Sequence, residues 1–238
     1  MTLADRIAGA VLGAFTADAL CLGVHWIYNP RVIARALPDG LAGPIDPLPG
    51  ARKYHEARRA GDFTHYGDQM LVLLRSVTDR GAWDRDHFAG QWRALWQGYD
   101  GWVDQATRDT LATAERGAWP RATGSGSDDL AGVARLAALL PALADADAAT
   151  WVAAVREQTV LTHGDPALLE VGDFFAYLVH ALLQGADLEA ALETALDHPY
   201  PQAPLRQWLD QARARVDDPD TAAVVADLGA SCHVPGAV

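Results

Sequence analysis

Residues 5–22, DRIAGAVLGAFTADALCL, place Ile7, Val11, Leu12, Phe15, Ala19 and Leu22 three or four positions apart. That spacing gathers their side chains on one face of a helix, and a helix with an apolar stripe needs a body to bury it against. Gly9, Gly13 and Ala17 form a second stripe, four residues apart. Glycine lowers helix propensity by about 1 kcal/mol relative to alanine, and close approach of another backbone is the natural compensation. The same period recurs along the chain. It predicts helices over 69–79, 86–99, 104–117, 128–140, 148–161, 166–183, 188–196, 204–216 and 221–228. Their starts repeatedly carry Asp, Ser or Thr, as N-caps should. No run alternates for long enough to make a sheet, and no repeat or heptad array appears. The expected fold is all-α, one compact domain over residues 1–238.

Residues 29–60 break the pattern with closely spaced prolines and glycines around a short helical insert at RVIARAL. This predicts a long ordered loop, a feature that is uncommon in compact domains and often functional.

Half of the 238 residues are hydrophobic and the formal charge is −12, with a pI near 4.9. That balance suits a globular chain with a substantial core. It argues against non-specific binding to nucleic acid or to an anionic membrane, while leaving room for a local basic pocket. Cys21 and Cys232 lie far apart without CxxC spacing, so free thiols in a reducing compartment are expected. No basic region precedes the first apolar stretch, and Asp5, Arg6 and Asp18 interrupt it. Neither a signal peptide nor a membrane span is expected, and the localisation expected is cytoplasmic.

No GxSxG elbow, phosphate loop ending in GK, HExxH or cysteine–histidine zinc spacing occurs. Acidic and hydroxyl groups in polar loops remain, and such oxygen-rich sets suit hard cations such as Mg²⁺ or Mn²⁺. Four stretches stand out. In TADALCLGVHWIYNP (16–30), Asp18 lies near the end of an apolar helix, where the dipole disfavours it and burial demands a partner. It either bonds the next segment or serves a site; His25, just beyond, is either a core histidine or a site residue. In GDFTHYGDQ (61–69), Asp68 stands before the helix predicted from 69. It is either that helix's N-cap or, with Asp62, His65 and Tyr66, part of a ligand or cation site. In TGSGSDDLAG (123–132), small residues ahead of a helix offer backbone amides to a phosphate; Asp128 and Asp129 would repel an anion unless a cation lay between. In LTHGDPALL (161–169), His163 either caps a helix end or binds a ligand.

Taken in order, GAVLGAFTADALCLGVHWIY, GDFTHYGDQMLVLL, TGSGSDDLAGVARLAALL, LTHGDPALL and DLGASCHVPGAV resemble the ADP-ribosylglycohydrolase family, and within it the divergent branch that includes the J-crystallins. The resemblance spans nearly the whole chain. It implies an all-α orthogonal multi-helix bundle and cleavage of the glycosidic bond between ADP-ribose and an acceptor, often arginine, with a pair of Mg²⁺ or Mn²⁺ ions. Carried onto this sequence, it makes Asp68 and His25 the candidate catalytic residues and Asp68 the metal ligand. Asp18, Tyr66, Gly124, Gly126, Ser127 and His163 become the candidate substrate-binding residues, and ADP-ribose or an ADP-ribosylated substrate the partner. The sequence also departs from the family. Where active members carry Thr-Asp-Asp-Thr it reads Tyr66, Gly67, Asp68, Gln69. His25 stands where they tend to carry a glutamate. The sequence also ends at Val238, before the family's C-terminal Asp-x-Asp-Thr-like segment. These departures imply a weak or lost metal site. The alternative is a non-catalytic ADP-ribose-binding or crystallin-like structural protein.

Overall fold

The apolar stripe of residues 5–22 does form a helix in the computed structural model, which describes residues 1–238. Helix α1 (Leu3–Cys21) opens on a capping box: the Asp5 N–H donates to Thr2 Oγ1 (3.1 Å) and the Thr2 N–H returns to the Asp5 carboxylate (2.8 Å). It buries Ile7, Val11, Phe15 and Ala19. The glycine stripe behaves otherwise. Gly9 and Gly13 are exposed, and nothing lies within 4 Å of a Cβ built on either. Positions 9 and 13 follow 7 and 11 by two residues, about 200° around the helix, so burying one stripe exposes the other. Leu12 goes out with them, 66% exposed.

Eleven further helices follow, with no strand. Inside the proline-rich loop sit α2 (Pro30–Ala36) and α3 (Pro49–Arg52), each with proline in its first turn, where the missing N–H has no helical acceptor to lose. α4 (His65–Arg80) starts four residues earlier than predicted, because Thr64 is its N-cap: Thr64 Oγ1 accepts from the Tyr66 N–H (3.1 Å). It stops at Gly81, whose φ of +66° is a left-handed conformation that favours glycine. Asp84 caps α5 (Arg85–Leu95) and Asp104 caps α6 (Gln105–Glu115). The helix predicted from 128 begins only at α7 (Ala131–Ala134) and then tightens into a 3₁₀ segment, Arg135–Ala142, that contains Pro141. Asp128 and Asp129 are drawn away by a bridge to residues 232–234. α8 (Ala148–Val160), α9 (Pro166–Leu183), α10 (Leu188–Leu196), α11 (Leu205–Arg213) and α12 (Thr221–Leu228) complete the chain.

The main core lies between α1, α4, α5, α8 and the 3₁₀ segment, where Leu73, Phe88, Trp92, Leu139, Leu140 and Trp151 are each at most 1% exposed. A second cluster joins α9, α10 and α11 through Val171, Phe174, Ala191, Ala195 and Leu205. Each such large side chain contributes about 1.5–3 kcal/mol on burial. α1 and α9 are long and apolar enough to cross a membrane by length and composition, contrary to the expectation for the N-terminus, yet each packs one face into the body.

A polar strut crosses the main core. Arg135, 2% exposed, donates to Gln158 Oε1 (3.1 Å), the Gln158 carbonyl (3.2 Å), Thr162 Oγ1 (2.7 Å) and Gln69 Oε1 (3.1 Å). The same Gln69 oxygen accepts from Trp92 Nε1 (2.7 Å). Burial lowers the Arg135 pKa to about 10, which still leaves it charged at neutral pH.

Candidate functional site

The N-terminus of α4 is held against α1 by Asp18. Its carboxylate accepts from the Thr64 N–H (2.8 Å) and hydroxyl (2.6 Å). The partner that burial demanded is therefore the N-cap of the next long helix. The fit is close: a Cβ at Gly67 would lie 2.3 Å from Asp18 Oδ2. Burial pushes the Asp18 carboxyl up against the lowering effect of Thr64.

Asp68 is not the cap. It lies inside the first turn, where its Oδ2 takes Arg58 Nη2 (2.9 Å) and the Tyr99 hydroxyl (2.6 Å). Burial raises its pKa while Tyr99 and Arg58 lower it. A hard dication at Asp68 would have to displace a guanidinium, and the neighbouring carboxylate of Asp18 is already taken by Thr64. These residues do not fit the Mg²⁺ or Mn²⁺ pair that the resemblance implies: Arg58 supplies the positive charge there.

His25 follows a 3₁₀ turn, Leu22–Val24, at the end of α1. It stacks on Trp26 (4.4 Å between ring centroids) and on His55 (5.0 Å), with Nδ1 2.7 Å from His55 Nε2. Burial, then His65 and His55, lower its pKa to about 3; burial first, then His65 and Arg58, lower that of His55 to about 4. Both are neutral at pH 7, and His25 is a poor match for the acid or base role expected of it. His65 lies beneath them, 1% exposed, and neither ring nitrogen makes a well-formed hydrogen bond; Nε2 is 3.2 Å from Asp104 Oδ2 but misaligned.

Beyond this histidine cluster opens a cleft of about 330 Å³ walled by Trp26, Tyr54, Tyr66 and Trp102, with Asp104 and Asp129 also facing it. The rings of Trp26, Tyr54 and Trp102 meet edge to face at 4.6–6.1 Å. Trp26 holds φ at +61°, a conformation that costs a bulky residue roughly 1–3 kcal/mol and clusters at functional sites. Tyr66 reaches Asp129 Oδ2 at 3.4 Å. Burial, then Asp129, push its hydroxyl pKa far up, so it remains a donor. Burial pushes the Asp104 carboxyl up as well, but His65 and the Thr107 N–H (2.6 Å) outweigh it and hold Asp104 well below the usual carboxylate range.

The remaining expectations divide. Ser127 lines this cleft, while Asp18, His25 and Tyr66 border an adjoining hollow of about 360 Å³. Gly124 is no phosphate ligand: its N–H donates to the Val160 carbonyl (3.2 Å), and a Cβ there would lie 2.1 Å from the Leu161 carbonyl oxygen. The Ser127 N–H turns back to Ser125 Oγ (3.2 Å), so that amide too is consumed within its loop. Gly126 is exposed, away from the cleft in a polar hollow with Arg116. His163 is a core histidine rather than a ligand, 4% exposed, with Nδ1 2.8 Å from Thr162 Oγ1 and its ring against Gly132. Burial, then Arg135, hold its pKa down to about 3.

Sequence reasoning assigned Asp104 only a capping role, yet it both caps α6 and faces the cleft. It missed Trp102, Tyr54 and His55. The signal for the last two was the long loop at 29–60, which delivers Tyr54, His55 and Arg58.

An all-helical body with a carboxylate-bearing cleft at the start of α4 defines the class. The family model for ADP-ribosylglycohydrolase matches residues 1–238, and the chain belongs to that family. A solved structure described as an ADP-ribosylglycohydrolase-related protein complex is similar, with TM-score 0.64 and 25% identity over 87% of this chain. The match covers 66% of that structure's chain. No curated protein matches.

Proposed function

We propose that the chain hydrolyses the glycosidic bond between ADP-ribose and an acceptor, an arginine guanidinium in the first instance, in the cleft formed by Trp26, Tyr54, Trp102 and Asp104. What carries this reading is a carboxylate held ionised beside an aromatic wall, in a chain of this family. Aromatic faces attract a guanidinium by about 0.5–2 kcal/mol. Arg108, 5.9 Å over the Trp102 ring at the exposed rim, offers charge to the pyrophosphate. As the C–N bond breaks, its electron pair leaves with the guanidine nitrogen and positive charge develops on the ribose. The Asp104 carboxylate stabilises that charge and takes a proton from the attacking water; the proton passes to the released guanidine. The products are ADP-ribose and arginine, and Mg²⁺ or Mn²⁺ enters no step.

Release of ADP-ribose from an ADP-ribosyl-arginine peptide, followed chromatographically, tests this. The wild type should release it, and Asp104→Asn, which preserves a good N-cap, should slow release about 10²- to 10⁴-fold. A second reading, a non-catalytic ADP-ribose-binding or J-crystallin-like descendant, is favoured by the Arg58–Asp68 pair. It predicts no release. Its binding version predicts a stabilisation of about 2.7 kcal/mol with ADP-ribose at 100 times its dissociation constant, and its purely structural version predicts none.

A further inference from the structure

We propose that Asp129, Cys232 and His233 form a binding site for a divalent transition metal of the Zn²⁺ class at the rim of the aromatic cleft. One carboxylate oxygen, the thiol sulfur and one ring nitrogen all lie within 4.8 Å of one another. The two segments that carry them are about a hundred residues apart in sequence, yet the backbone holds them together. Asp129 and His233 form an antiparallel bridge, the Leu130 N–H donates to the Cys232 carbonyl (2.8 Å), and the Val234 N–H donates to the Asp128 carbonyl (3.2 Å). Register along this bridge, rather than chance meeting of surface side chains, sets the three groups side by side.

Asp128 completes the arrangement. Its Oδ1 lies 2.6 Å from His233 Nδ1. With Nδ1–H donated to that carboxylate, the lone pair falls on Nε2, the orientation in which metal-bound imidazoles are commonly held. Thiolate, imidazole and carboxylate together favour Zn²⁺ or Co²⁺ over Mg²⁺ or Ca²⁺, which take oxygen. In a tetrahedral zinc site, bond lengths of about 2.0–2.3 Å place ligand atoms roughly 3.5 Å apart, so the side chains must close in by about 1 Å. His233 is exposed and Cys232 half-buried, so both have room to turn. Binding releases the thiol proton to solvent. All three residues line the cleft, and the Tyr28 hydroxyl stands 4.0 Å from the Cys232 sulfur. Three protein ligands with a fourth position left open is the pattern of a zinc site that admits water or substrate. This inference does not rest on the glycohydrolase reading.

Titrating the intact reduced chain with Co²⁺ in the absence of oxygen tests it. The expected result is a single equivalent bound at micromolar concentration, a thiolate-to-cobalt charge-transfer band in the near ultraviolet, intense visible bands of four-coordinate cobalt, and displacement of all of these by Zn²⁺. Cys232→Ser should abolish the charge-transfer band while Cys21→Ser keeps it. Asp128→Asn, which leaves the three ligands in place, should weaken binding about 10- to 100-fold. Absence of stoichiometric binding to the wild type would overturn the proposal. So would a charge-transfer band that survives Cys232→Ser in a chain with unchanged far-ultraviolet circular dichroism.

Discussion

Two buried polar regions meet along α4, and they are built differently. One turn into the helix, Gln69 joins Arg135, Trp92, Gln158 and Thr162 in a network in which each hydrogen-bonding group named above has a partner. Four residues earlier, His65 is as deeply buried and has no well-formed hydrogen bond at either nitrogen. A buried polar network that is satisfied stiffens a core, whereas an unsatisfied one is costly and persists where something other than stability holds it. The difference separates scaffold from site: the Arg135 strut fixes the helices, and the His65 end faces the ligand.

The largest expected effect breaks the scaffold half. Arg135→Ala removes four hydrogen bonds and leaves Gln69 and Gln158 acceptors buried without donors. It should cost about 3–5 kcal/mol in chemical denaturation, as loss of one partner from a buried charged network does. A loss under 1 kcal/mol would mean that the strut is ornamental.

A smaller effect sharpens the site half through pH. His25 and His55 have folded pKa values lowered to about 3 and 4, against about 6.5 for histidine in an unfolded chain. Between those values the unfolded chain binds more protons, so stability must fall as pH drops from about 6.5 toward 4. The slope is about 1.4 kcal/mol per pH unit for each proton taken up. Denaturation midpoints across that window should show it, and His55→Gln should flatten it. An unchanged slope in the variant would remove His55 from the account.

The smallest change in stability is expected where a generic core residue would show a large one. His65→Phe should alter stability by less than about 1 kcal/mol, because it removes two polar atoms that had no partners. It also removes the group that keeps Asp104 ionised, so the acid limb of the pH–rate profile for ADP-ribose release should move to higher pH. A large loss of stability with an unmoved profile would make His65 part of the scaffold.

Most of the helical body could be read from the sequence. α9, α10 and α12 fall at the predicted boundaries, since apolar period, Asp or Pro starts and polar ends coincide there. Errors came where a tertiary contact overrides local preference. Asp128 and Asp129 look like a helix start but are drawn off by residues 232–234, and the glycine stripe of α1 packs against nothing. The site was legible in part, because the motif at 61–69 located it and the residue roles within it were missed. Asp68 looks like an open carboxylate until Arg58, ten residues upstream in an irregular loop, is seen to cover it. Asp104 looks like a cap because it is one. Its second role depends on His65, which α4 brings beside it and which no local pattern announces.

The most direct test compares two aspartates in one assay: the rate of ADP-ribose release from an ADP-ribosyl-arginine peptide by Asp104→Asn and by Asp68→Asn, each with Mg²⁺ and with chelator. The account predicts that the first substitution removes nearly all activity, that the second changes it only a few-fold, and that neither result depends on Mg²⁺. Activity that needs Mg²⁺ and Asp68 while surviving Asp104→Asn would contradict it.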